Sequence, residues 1–116
     1  MTLRVLVCGG RDFEDQRLLI RTLDALHRER GIGVVINGGA PGTDTLAKNW
    51  ALMRGIDVQT YAANWAEHGR AAGPKRNQQM LDEGKPDLVV AFAGGIGTAD
   101  MVRRARTAGV VVAEAT

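Results

Sequence analysis

Aromatic residues are scarce: two Trp, two Phe and one Tyr make up 4% of the 116 residues. Trp65, in a stretch without clear periodicity, is the one candidate for stacking on a ligand ring. Trp50 falls on a helical stripe and reads as core or subunit interface. Cysteine occurs once, as Cys8. A lone cysteine excludes an intrachain disulfide and fits a reducing compartment. No apolar run approaches the roughly 20 residues that span a bilayer. The first residues lead straight into an apolar strand with no cleavage-site pattern, so the expectation is a cytoplasmic protein with no membrane partner. No run of five like charges is present, which leaves no basic tail for nucleic acid and makes a nucleic-acid partner unlikely on sequence grounds. His27 and His68 are far apart and no Cys/His cluster has metal-ligand spacing, so neither a metal nor a cofactor is expected.

What the chain does have is glycine, 15 residues of it, within an ordinary globular balance of 45% apolar and 24% charged residues. Such a length suits one domain, residues 1–116, with one real core. The net charge of +2 leans mildly toward an anionic ligand.

Apolar runs alternate with amphipathic stretches along the whole chain. Leu3 to Cys8 is an apolar run, rich in Val and Leu, that does not alternate, and it reads as a buried parallel strand. Glu14 to Arg30 follows as a helix with Leu19, Leu23 and Leu26 on one face, stopped by Gly31. Val34 to Ile36 is the second strand, Thr43 to Arg54 the second helix, and Ile56 to Tyr61 the third strand. Ala62 to Gly73 reads as a loop. Pro74 suits the first position of a helix running to Glu83. Asp87 to Phe92, Thr98 to Ala108 and Val110 to Ala113 complete a βαβαβαβαβ order. The pattern predicts an α/β fold: a Rossmann-like three-layer α/β/α sandwich around a five-stranded parallel sheet. Right-handed crossovers favour the strand order 3-2-1-4-5, with a flavodoxin-like order as the alternative.

In such sheets ligands bind beyond the carboxyl ends of the strands, where the strand order reverses. Gly9-Gly10, Gly38-Gly39 and Gly94-Gly95 follow strands one, two and four, so all three pairs fall on that edge. A helix N-terminus offers free N–H groups and positive dipole, and glycine lets a phosphate approach them. Gly94-Gly95-Ile96-Gly97-Thr98 fits this best. Asn37-Gly38-Gly39-Ala40-Pro41-Gly42-Thr43-Asp44 follows the same logic, with Thr43 as a helix cap or, like Asp44, a partner for a ribose hydroxyl. Neither loop is a P-loop, because no Gly-Lys-Ser/Thr follows, and neither is the dinucleotide fingerprint, whose third glycine is replaced by Asp100. Arg11 is placed to pair with phosphate. Lys75-Arg76-Asn77, in the first turn expected after Pro74, sets cations against the helix dipole. That local conflict singles out Arg76, with Asn77 as a partner for base or ribose. Arg103, Arg104 and Arg106 lie late in their helix and read as a solvated face.

Four segments together resemble the SLOG superfamily in its YspA/YpsA-related branch. They are Cys8 to Phe13, Asn37 to Asp44, Gly69 to Asn77 and Phe92 to Met101. The resemblance covers nearly the whole chain. It implies a Rossmann-like domain that binds a nucleotide or nucleotide-derived ligand, as a sensor or binding module, and often as a homo-oligomer. The superfamily also includes the LONELY GUY phosphoribohydrolases, which cleave nucleoside monophosphates, and DprA, which binds single-stranded DNA. An N-glycosidase is therefore the alternative function, with Asp100 and Arg76 as its catalytic candidates, and DNA binding the weaker one. The hydrolase motif Pro-Gly-Gly-x-Gly-Thr-x-x-Glu has Ala93 here in place of its proline and Met101 in place of its glutamate. Asp100 stands one position early, a rotation of about 100° on a helix.

Overall fold

The computed structural model describes residues 2–116. Five parallel strands lie in the order β3-β2-β1-β4-β5. They are β1 (Leu3–Cys8), β2 (Ile32–Asn37), β3 (Asp57–Thr60), β4 (Leu88–Ala91) and β5 (Val111–Glu114). The main helices are α1 (Gln16–Arg30), α2 (Thr43–Met53), α4 (Ala72–Gly84) and α5 (Ile96–Thr107). The Rossmann-like order expected from the sequence is the observed one.

The apolar, non-alternating character of β1 has a direct cause. Leu3, Val5 and Val7 pack into one core with Leu19 and Leu23 of α1 and Ala47 and Trp50 of α2. Leu6 and Cys8 point the other way, into a second core with Met80 of α4 and Met101 of α5. Both faces of the strand are covered, which leaves Val5 to Cys8 apolar, while Arg4 near its start donates to Gly84 O and Gln59 Oε1, each at 2.8 Å. Helix pairs on opposite faces make the three layers. Asp15 caps α1 by accepting the Leu18 N–H at 3.0 Å, which starts that helix two residues later than Glu14.

Trp50 belongs to its own core, 2% exposed. Its indole N–H donates to Asp24 at 3.0 Å, and Arg54, paired with Asp24 at 2.7 Å, lies over its ring. It is therefore not available as an interface residue. His27 also has a structural role, accepting the Ile32 N–H through Nδ1 at 2.9 Å.

Two expectations need correction. Residues 62–73 are not a loop. They hold a short helix α3 (Trp65–His68), a 3-10 turn (Gly69–Ala71) and the start of α4. Asn64 caps α3 by accepting the Glu67 N–H, and four residues are too few to display a helical period. Pro74 is consequently the third residue of α4, where its missing N–H still has no intrahelical partner to lose. Lys75, Arg76 and Asn77 shift into the second turn, so the dipole argument that singled out Arg76 loses its force.

The β2–α2 loop reaches the site edge through Gly42. Its φ is +76°, and a Cβ there would stand 2.5 Å from the carbonyl oxygens of both Gly10 and Arg11. Both the backbone and the space demand glycine. Gly42→Ala is expected to lower stability by about 2–4 kcal/mol. Gly55→Ala, also at positive φ but with nothing within 4 Å, should cost only about 1–2 kcal/mol. Urea midpoints of the two variants check the difference, and equal losses would contradict the packing argument.

Candidate functional site

The carboxyl ends of β1 and β4 open into a crevice of about 530 Å³. Its walls come from the β1–α1 loop (Gly9 to Phe13), the β4–α5 loop with the first turn of α5 (Ala93 to Thr98), and Arg76 and Asn77 of α4. Asp44 closes the side toward α2, and Cys8 lies at the floor. Burial pushes the Cys8 thiol up to about 12, with the charges of Asp44 and Glu114 adding to it, so it stays protonated and unreactive at neutral pH.

The backbone of Gly10 holds the three glycine loops together. Its N–H donates to Ala93 O at 2.8 Å. Its carbonyl accepts the Thr43 N–H at 3.2 Å and the Thr43 hydroxyl at 3.1 Å. The loops expected to converge do converge, but not all of their residues face the crevice. Thr43 has no exposed surface, because its side chain occupies the space beside Gly9. It is also the first residue of α2 rather than its cap, a position taken by Gly42. Gly38 is buried, and the space beside it is filled by the Arg76 guanidinium, which donates to Gly38 O. Gly39 is exposed but lies against Thr60 and Ala62, away from the crevice. Gly94 is packed against Thr98 Oγ1 and Gly10 N.

The first turn of α5 differs. Gly95 caps the helix, which makes Thr98 its third residue and not its start. A Cβ built at Gly95 or Gly97 meets nothing within 4 Å, and neither has a positive φ. Both are exposed and line the crevice.

The charged groups divide into two sets. Arg11, Arg76 and Asp44 face the crevice. Asp44 is 8% exposed and accepts the Ala40 N–H at 3.1 Å. Burial raises its carboxyl above the ordinary range, against the lowering effect of the Ala40 and Gly38 N–H groups and of Arg76 and Arg11. Burial likewise lowers the Arg76 guanidinium; Asp44 opposes this and nearby Arg11 adds to it.

Asp100 heads the second set. Its carboxylate accepts from Asn77 at 3.0 Å, Arg104 at 2.8 Å and Arg103 at 2.5 Å. Burial works to raise its pKa, but the hydrogen bonds from Asn77 and Arg104 and both arginine charges outweigh it, so the carboxyl lies below its usual range. Arg103 and Arg104 are thus not a purely solvated face, and their spacing of three and four from Asp100 is a signal that a helical reading contains. Arg106 pairs with Glu114 at 3.3 Å. Asn77 also donates to Gly97 O at 3.2 Å, which ties α4 to the first turn of α5.

Sequence reasoning missed the basic cluster that the fold builds. Arg11, Arg70, Arg76 and Arg103 come from four separate segments and line one cavity with Trp65. Among the described residues no group of three or more His, Cys, Asp or Glu is placed to hold a metal. No helix among them is long and apolar enough to cross a membrane.

Comparison with known proteins agrees with this architecture. Gene 61 protein of Mycobacterium phage D29 is 38% identical over 117 residues, covering 94% of this chain and 93% of the phage protein. Among solved structures, the X-ray structure of DNA processing protein A (DprA) from Streptococcus pneumoniae matches with a TM-score of 0.60 at 17% identity. That match covers 97% of this chain but 58% of the DprA chain, and it speaks to the fold alone. A sequence profile of YAcAr, the YspA, cpYpsA-related SLOG family, matches residues 3–68. The chain belongs to this family.

Proposed function

We propose that the chain is a binding module for a nucleotide or nucleotide-derived ligand, with a phosphate resting on the first turn of α5. Gly97 is the observation that carries this reading. Glycine is unfavourable by about 0.5–1 kcal/mol relative to alanine in a helix interior, an upper bound for Gly97 in the first turn of α5. No neighbour and no positive φ explains it here. The remaining use for a missing side chain at an exposed helix start is close approach by an anion to the free N–H groups. Arg11 and Arg76 supply charge beside it, and Asp44 is an acceptor for a ribose hydroxyl within the same crevice.

Family membership supports the nucleotide class, and the DprA-like fold is compatible with it. Within this reading Gly9, Gly10, Gly38, Gly42, Thr43 and Gly94 shape the crevice, and Gly39, turned toward Thr60 and Ala62, takes no part. Gly95, Gly97, Thr98, Arg11, Arg76 and Asp44 are the groups that meet the ligand, and Asn77, buried and bonded to Arg76, Gly97 and Asp100, positions them. In this reading Asp100 holds α5 against α4, its carboxylate accepting from Asn77, Arg103 and Arg104.

Gly97→Ala is expected to stabilise the fold by up to about 1 kcal/mol while weakening AMP binding at least about tenfold. Thermal melts and calorimetric titration read the two effects separately. A stabilised variant that binds AMP as the wild type does would overturn the proposal.

Asp100 distinguishes binding from hydrolysis. An unfolded aspartate titrates near about 3.9. A group held below that value contributes its full stability above it and loses the contribution as pH falls through the lower folded value. Asp100→Asn should therefore cost about 1–3 kcal/mol at neutral pH and lose less than the wild type on acidification. Prolonged incubation of the wild type with AMP should release no free adenine. Adenine release that disappears in Asp100→Asn would replace the binding reading with the N-glycosidase one.

A further inference from the structure

A second cavity, about 720 Å³, adjoins the crevice. The two share Arg11, Arg76, Asn77, Ile96 and Gly97 as lining residues, so they meet at the first turn of α5. The far wall is Trp65, Arg70 and Pro74, on α3, the 3-10 turn and the start of α4.

Three features of this annex point to a ligand group. Trp65 is 49% exposed, although it is the bulkiest apolar side chain at the site edge. Arg11 lies against its ring, the guanidinium carbon 5.4 Å from the centroid. Among the described residues no carboxylate pairs with Arg11 or Arg70. Asp100, the one acid of the annex, is already neutralised by Arg103 and Arg104. Finally, Ile96 is 91% exposed where the two cavities join, an apolar side chain held in water at the seam.

The charges at the seam fit an anion between them. Arg11 and Arg76 both line the seam, close enough that the Arg11 charge disfavours protonation of Arg76, and an anion placed between like charges relieves that repulsion. The crevice alone already has the volume of a small-ligand site. A base of the same mononucleotide lodged in the annex would leave most of that cationic lining unused.

We propose that the annex is a second subsite, and that the ligand class is a nucleoside diphosphate extended by a second ring-bearing group. The bridging diphosphate lies at the seam between Arg11 and Arg76, and the distal ring stacks on Trp65. This rests on the crevice being a phosphate site. Trp65 is a single platform: Phe13 and Phe92 are packed on each other at 5.2 Å. One platform suits one ring, whereas a strand of nucleic acid is held by successive ones.

The test is calorimetric titration of the full chain with AMP and with diadenosine diphosphate, in wild type, Trp65→Phe and Trp65→Ala, with tryptophan fluorescence followed in the wild type. The dinucleotide should bind about tenfold or more tighter than AMP, in the range of one stacked base. It should also quench the exposed Trp65, while Trp50 stays buried. The advantage should fall to near unity in Trp65→Ala, persist in Trp65→Phe, and leave AMP affinity unchanged in both. AMP binding in Trp65→Ala also serves as the check on folding.

Equal affinity of the wild type for AMP and the dinucleotide would overturn the second subsite and leave the crevice reading intact. An equal weakening of both ligands in Trp65→Ala would do the same. Failure of both ligands to bind the wild type would overturn the crevice reading as well. Tighter, strongly salt-dependent binding of oligothymidine than of the dinucleotide would replace the proposal with single-stranded DNA binding.

Discussion

The site depends on the backbone of one residue, Gly10. Its N–H holds the β4–α5 loop through Ala93 O, and its carbonyl takes both donors of Thr43 from the β2–α2 loop. Three loops that belong to different crossovers are thereby fixed at hydrogen-bond distance from each other. Satisfying the backbone in this way also explains why so many glycines are needed nearby. Side chains at Gly9, Gly42 or Gly94 would push the loops apart.

With the loops fixed, the other elements take their places. The buried faces of β1 orient α1 and α2 on one side and α4 and α5 on the other. Helix α4 sends Arg76 across to the Gly38 carbonyl and Asn77 to Gly97 and Asp100. Asp100, with its two arginines, then locks the start of α5. The result is a helix N-terminus held firmly from three directions, with room above Gly95 and Gly97. Preorganisation of this kind lets a ligand bind without the cost of ordering its site.

Most of the fold was legible in the sequence because it rests on local patterns. Strands covered on both faces are mostly apolar and do not alternate, glycine stops follow helices, and the alternation of elements selects a parallel sheet whose order follows from crossover handedness. The edge on which the glycine pairs fall was legible for the same reason. What was not legible depends on tertiary packing. Helix α3 is too short to carry a period, so α4 appeared to begin at Pro74 and Arg76 was singled out for a reason that does not hold. Thr43 reads as a helix cap or ligand group until Gly9 is seen to be packed against it. The arginine cluster around Trp65 is invisible along the chain, because its members are scattered from Arg11 to Arg103. The Asp100 network was partly within reach, since its two arginines stand at helical spacing from the acid.

The central claim is that the open first turn of α5 receives phosphate. Backbone amide chemical shifts of the labelled protein, followed during titration with AMP, test it most directly. The account predicts saturable shifts centred on Gly95, Gly97 and Thr98, with smaller ones at Gly10 and Arg11. Saturable shifts centred elsewhere, or none at these amides at millimolar AMP, would contradict it.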